Sequence, residues 1–268
     1  MADNTNTNTN RGSAWYTPLN LLIYDLHVLR INMTYLWGCP ISSVLLPFFV
    51  DHFSEKHLDV GVASGYFPSA ALSRLFSSST SSGGTATATE NSDREGETER
   101  QITLMDINPH CLTTAQSLIQ RDNPLSRVKI DTILHNALNY ASLLESLKRK
   151  FTSVSMFNLL HCIPVPCKEK SSAFRLAAEC LEDGGVLAGC TILGEQDWDE
   201  KSKKRWLPKI GMWHLNHLVG VLSNQNDRKD ILEQGLRENF GEVQTEVVGC
   251  MLLFTAKKPI RGGGLEEG

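Results

Sequence analysis

The last two apolar runs limit what this chain can fold into more than any other feature. EVQTEVVG (242–249) and CMLLFTAKK (250–258) follow one another with no room for a crossover helix, so they must pair antiparallel. Ahead of them the rhythm differs. Short strand-like runs, HLDVG (57–61), ITLMD (102–106), RVKIDTI (127–133), SVSMFNLL (153–160) and GVLAGCTIL (185–193), alternate with helical stretches at 68–76, 109–121, 139–149, 168–181 and 227–239. In the second helical stretch Cys111, Leu112, Ala115, Leu118 and Ile119 share one face at helical spacing. Such alternation builds a parallel sheet covered on both faces. The chain is therefore predicted to be an α/β protein whose doubly wound, mostly parallel sheet ends in an antiparallel strand.

The remaining segments frame that unit. Residues 1–13 are polar and repetitive and read as disordered. A helix is expected from Thr17, which can cap it, with Pro18 at its first position and apolar residues through Trp37. After Gly38-Cys39-Pro40 a second apolar helix is expected over roughly 41–53. One domain, 14–260, then holds a helical lid and the sheet. Residues 77–100 carry almost no apolar side chains and read as a flexible insertion, and 261–268 as a mobile tail.

Composition narrows the class of function. A net charge of −4, with the basic patch Lys201–Arg205 broken up by neighbouring acids, disfavours nucleic acid as a partner. The apolar run Ile41–Val50 is too short to span a bilayer, and the N-terminus shows no signal or transit pattern. Seven cysteines without paired metal or redox spacing suit reduced thiols, so a cytoplasmic protein is expected.

The chemistry concentrates at strand ends. HLDVGVASGYF (57–67) runs from a strand through Asp59, Gly61, Ala63 and Gly65 into a helix, but Tyr66 stands where a dinucleotide fingerprint requires glycine. The spacing suits a cofactor without a pyrophosphate; a tight turn holding no ligand is the other reading. Asp106 closes the second strand, where a carboxylate can accept both ribose hydroxyls or cap the helix at Pro109. It lies further from the glycine loop than the roughly 20 residues expected, and the excess matches the insertion. Asn136 follows the third strand, either near an adenine amino group or as an exposed loop residue. FNLLHCIP (157–164) ends the fourth strand in Asn158, His161 and Cys162. Ligands of open α/β sheets bind at such ends, and Asp59, Asp106, Asn136 and His161 occupy four of them. His214 and His217 lack a third partner at zinc spacing, so no metal is expected. No hydrolase elbow or nucleotide phosphate loop occurs.

HLDVGVASGYF, ITLMDINPHCL, FNLLHCIP, LEDGGVLAGCTILG and the C-terminal LVGVLSNQNDRKDILEQGL with VVGCMLLFTAKKP resemble the class I S-adenosylmethionine-dependent methyltransferases, over roughly residues 20–258. More narrowly the chain resembles small microbial enzymes of fungal and bacterial natural-product pathways. The resemblance implies a seven-stranded, Rossmann-like sheet and S-adenosyl-L-methionine as cofactor. It places the glycine loop under methionine, Asp106 on the ribose and Asn136 near adenine, with Tyr66, Ile107, Ala137 and Asn158 beside them. Two departures are Ala63, where a middle glycine is usual, and Asn136, where many relatives carry Asp. The substrate would be a small molecule methylated on oxygen or nitrogen, under a lid contributing Tyr24, Trp37, Trp213 and His217, which could equally be packing residues. His161 is either the general base or a pocket-lining residue. A cofactor-binding partner subunit without catalysis is the alternative.

Overall fold

The computed structural model describes residues 32–81, 100–124 and 128–261. Residues 1–13, most of the helix expected from Thr17, Tyr24, the greater part of the 77–100 insertion and the tail beyond 261 lie outside the described residues.

Seven strands form one sheet: β1 (Lys56–Val60), β2 (Arg100–Asp106), β3 (Val128–Leu134), β4 (Phe151–Phe157), β5 (Leu181–Ile192), β6 (Phe240–Val248) and β7 (Met251–Pro259). Their order is β3-β2-β1-β4-β5-β7-β6. All neighbours run parallel except β7, which lies antiparallel to both β5 and β6. The hairpin expected from the missing crossover is thus present, and it slots β7 between β5 and β6.

The described α-helices are α1 (Leu46–Asp51), α2 (Tyr66–Ser81), α3 (Pro109–Asp122), α4 (Ser171–Cys180), α5 (Glu200–Lys203), α6 (Trp206–Trp213) and α7 (Lys229–Asn239). A π-helical turn, Ile41–Leu45, leads into α1, and another, His214–Val219, continues α6. From β1 the chain steps through β2 to β3 at one edge, and from β4 it steps to β5 in the other direction. Right-handed crossovers in opposite directions put α2 and α3 on one face and α4 on the other. The reversal falls between β1 and β4, where an open α/β sheet leaves a crevice.

Burial follows from this order. Central β1 and β4 are buried on both faces, whereas edge strands β3 and β6 alternate, as one-sided cover requires. Phe49, Phe53, Phe67 and Phe157 form an aromatic cluster between α1, α2 and the sheet. Trp37 is buried at 1% exposure, and its carbonyl accepts the Cys250 N–H in the β6–β7 turn. All seven cysteines are free, and among the described residues no helix is long and apolar enough to cross a membrane.

Some expectations change: β4 ends at Phe157, three residues before SVSMFNLL does, and β5 begins at Leu181, four residues before GVLAGCTIL. Residues 139–149 do not form a helix but two single 3-10 turns, Tyr140–Ser142 and Glu145–Leu147, separated by extended backbone at Leu143 and Leu144. The turns bury Leu143 and Leu147 while Leu144 stays exposed, so the apolar spacing is satisfied without a helix. The helix expected over 68–76 extends to Ser81, five residues into the stretch read as an insertion.

Candidate active site

The carboxyl ends of β1, β2, β3 and β4 surround two adjoining hollows. The larger, open to solvent and spanning about 930 Å³ together with the solvent at its mouth, is lined by Gly61, Asp106, Ile107, Asn136, Ala137 and Asn158, among others. The smaller, about 300 Å³, is lined by Asp59, Ala63, Tyr66 and Phe67. Gly61, Ala63, Phe157 and Asn158 border both, so the two form one continuous cleft along the switch between β1 and β4.

The loop after β1 owes its shape to left-handed residues. Gly61 (φ 76) and Gly65 (φ 82) have the freedom for it, and Ala63 (φ 49) adopts it despite its methyl group. Gly65 is also constrained by contact: a Cβ there would lie 2.7 Å from Ala115 of α3. The loop is tied to the second strand end, because Asp106 Oδ2 accepts the Ala63 N–H at 3.4 Å. Asp106 Oδ1 accepts the Asn108 N–H at 2.8 Å, and the cap of α3 is Asn108, whose Oδ1 accepts the His110 N–H. Asp106 is therefore not the helix cap that one reading of the sequence allowed.

Burial sets the charges here. It pushes the Asp59 carboxyl up to about 7, against the hydrogen bond from Ser155, with the charge of Asp106 adding to the rise. It raises Asp106 to about 6, opposed by the N–H groups of Asn108, Ala63 and Ile107. Two carboxylates thus stand at the cleft with reduced hydration, ready for cationic or hydroxyl donors.

Asn136 keeps its place on the larger hollow, but its Oδ1 accepts the Leu138 N–H at 3.0 Å and shapes the turn after β3. Asn158 is more telling. It is left-handed (φ 59), its Oδ1 accepts from the Cys190 thiol, and its Nδ2 is buried without a partner between the two hollows. An orphaned amide donor at that junction matches an acceptor oxygen on a ligand.

The other predicted residues among those described do not line this cleft. His161 lines neither hollow: its side chain is turned into the wall, where Nδ1 accepts the Ile192 N–H at 3.2 Å and lies 3.3 Å from Thr191 Oγ1. Burial, and then the Lys170 charge, push its pKa down to about 3, so it is neutral and poorly basic. The bond to Ile192 spends Nδ1 on the backbone, as a residue that shapes the cleft wall would. Trp37 is packed into the core behind the β6–β7 turn and lines neither hollow, in keeping with the packing role that the sequence also allowed it. Trp213 is exposed, 5.9 Å ring to ring from His217. His217 borders a separate hollow with Gln225 and Lys168, which meets the larger one at Pro164. Residues missed from the sequence, Phe157, Leu159, Ile163 and His135, line the larger hollow. An apolar run continuing past a strand end was the available signal for the first three.

This fold and this cleft define a class I methyltransferase. Comparison with known proteins narrows it. No family model matches the chain. The chain is 34% identical to O-methyltransferase NEC2 of Pyricularia oryzae, over 92% of each protein. It is 32% identical to the physcion biosynthesis cluster O-methyltransferase of Aspergillus chevalieri, over 94% of this chain and 97% of that one. A solved structure, PigF with SAH, shares the fold with a TM-score of 0.55 at 12% identity, over 92% of this chain and 62% of that one. The chain belongs to the family of fungal secondary-metabolite methyltransferases that these relatives represent, and it is an enzyme of that kind.

Proposed function

We propose that the chain transfers the methyl group of S-adenosylmethionine to a hydroxyl oxygen of a small fungal metabolite. One observation carries this reading: Asp59, Asp106, Asn136 and Asn158, from four successive strand ends, converge on one two-part cleft. The larger part would hold adenosine, with Asp106 toward the ribose hydroxyls and Ile107 and Ala137 against the base. The smaller would hold the amino acid, with Asp59 for its ammonium group and the N-terminus of α2 for its carboxylate. The orphaned Asn158 amide suits a ligand oxygen where the two parts meet. Oxygen as the acceptor atom follows the names of the relatives, both O-methyltransferases. The free thiols suit a reducing compartment, the cytoplasm.

When bound, S-adenosylmethionine supplies a methyl group on a sulfonium, a charge lost as the methyl leaves in line. The protein's part is placement. Phe157, Leu159 and Ile163 wall the larger hollow with apolar surface, which would leave less water around a bound ligand and help hold it in place. His161 takes no proton in this reading, because its Nδ1 already accepts a backbone N–H; the acceptor hydroxyl gives its proton to solvent and reacts as its oxyanion.

The test has two steps. Titration calorimetry with S-adenosylhomocysteine should give one site per chain, and labelled S-adenosylmethionine should then pass its methyl to an extractable small molecule from a fungal extract. Absence of binding would overturn the reading. Binding without transfer would favour a cofactor-holding partner subunit.

A further inference from the structure

Behind the smaller hollow a row of buried polar side chains crosses from β1 to β4. His57 is 1% exposed, its ring held by Phe49 and Phe53 with centroids 5.5 and 4.6 Å away. Both ring nitrogens meet serine hydroxyls: Nδ1 lies 2.7 Å from Ser153 Oγ and Nε2 2.9 Å from Ser155 Oγ. Ser155 in turn donates to Asp59 Oδ1 at 2.5 Å. Strand register makes this possible. His57 pairs with Ser153 and Asp59 with Ser155, and residues two apart on a strand share a face.

Proton counting gives the row a direction. A serine hydroxyl has one proton to donate. Ser155 spends its proton on Asp59, so toward His57 it can only accept, and the histidine proton sits on Nε2. Nδ1 is then an acceptor, and Ser153 donates to it. The Ser153 oxygen accepts in turn from the Ser54 N–H at 3.1 Å, and the Ser54 hydroxyl stands 2.6 Å from both Ser153 Oγ and Thr152 Oγ1. Every donor in the row points toward Asp59. The groups facing His57 from α1 and the turn after it are aromatic and those from β4 are hydroxyls; the charges that act on the row are Asp59 and, through it, Asp106.

We infer that His57 is a positioning residue of the cofactor site: through its Nε2–H it holds the Ser155 hydroxyl on Asp59 and so keeps that carboxyl group oriented for a ligand's cationic amino group. The inference rests on reading the smaller hollow as the amino-acid end of the cofactor site. Burial works against the Asp59 charge, and a hydroxyl proton locked onto one oxygen opposes it. A histidine restrained at both nitrogens locks it better than a freely turning serine.

The experiment compares two ligands on the full-length protein. S-adenosylhomocysteine carries the amino acid; methylthioadenosine keeps the adenosine and sulfur but lacks it. In His57→Phe, affinity for S-adenosylhomocysteine should fall about tenfold or more, the scale of one hydrogen bond to a charged group, while methylthioadenosine should bind within about twofold of wild type. His57→Gln, which keeps an N–H donor, should recover part of the loss. Nitrogen NMR of wild type should show the His57 proton on Nε2. Equal loss for both ligands, or unchanged S-adenosylhomocysteine affinity in a folded variant, would overturn the inference. If His57→Phe does not fold, Ser155→Ala carries the same comparison. Wild type failing to bind S-adenosylhomocysteine would instead bring down the cofactor reading itself, and the inference with it.

Discussion

His161 and Ala63 show how one residue's surroundings redirect its role. From sequence, a histidine just past a central strand is a base candidate. In the fold its Nδ1 serves the Ile192 N–H, so its removal should act on stability. His161→Ala should cost about 1–3 kcal/mol for the orphaned donor, plus a contribution from the cavity, and His161→Asn should recover part because its oxygen can accept. Urea unfolding measures this, and turnover per folded molecule should stay within about tenfold of wild type. A loss of 10²-fold or more in folded protein would restore the base role. Ala63 sits at φ 49, a conformation costing an L-residue roughly 1–2 kcal/mol, against about 0.5–1 kcal/mol of backbone entropy for glycine. Ala63→Gly should therefore stabilise the protein by up to about 1 kcal/mol, read as a rise in urea midpoint. At Asp106 the expected loss is in binding: Asp106→Ala should weaken S-adenosylhomocysteine by about 1.5–3 kcal/mol by calorimetry.

Elements depend on such pairs where they cross long loops. The Lys170 ammonium, in the 3-10 turn before α4, lies 2.5 Å from Asp227 Oδ2 and donates to the Ser223 carbonyl at 2.9 Å, with both side chains nearly inaccessible. This pair ties the segment after the second π-turn to α4 and the start of α7. Lys170→Ala, which strands a buried carboxylate, should cost about 3–5 kcal/mol, whereas Lys170→Met with Asp227→Leu should recover most of it. Thermal unfolding of the three variants decides the matter; equal stability of the single and double variants would show that the pair is not the tie. Neither partner announces itself in the sequence, since Lys170 reads as an ordinary surface lysine beside Glu169. The strands were legible because their apolar runs are short and bounded, and the residues at their ends came with them. Residues 139–149 were not, because Leu143 and Leu147 keep helical spacing while the chain runs extended between two turns. The run α6 plus π-turn was not read as helix at all, since Pro208 and Gly211 interrupt its helical signal; a Cβ at Gly211 would meet the Leu36 side chain.

At the scale of the whole molecule, what the sequence revealed was connectivity: one hairpin and one alternation are enough to require a doubly wound sheet, and the sheet's reversal then locates the cleft. What it could not reveal was depth, because burial is decided by elements far apart in the chain. His57 and His161 look like surface titrating groups, yet burial pushes both down to about 3. Asp59 and Asp106 look like ordinary carboxylates, yet they rise to about 7 and about 6. These shifts oppose each other. Below pH about 6.5 the unfolded chain binds protons that the two buried histidines refuse, so their share of stability is lost as pH falls toward 3. The two carboxylates bind protons more tightly folded than unfolded, so their share rises as pH falls through 7 and 6 toward about 4. Free protein should therefore show a nearly flat unfolding free energy between pH about 4 and about 6. Ligand binding breaks the balance. An ammonium group beside Asp59 requires the carboxylate, so below pH about 7 binding must expel a proton, and affinity should weaken by about tenfold per pH unit. Calorimetry of S-adenosylhomocysteine at pH 8, 7 and 6 in buffers of different ionisation enthalpy should show little proton release at pH 8 and close to one proton at pH 6. Methylthioadenosine, which brings no ammonium, should show a much flatter profile. An affinity for S-adenosylhomocysteine that stays constant from pH 8 to 6 would mean that Asp59 does not meet the ligand's charge.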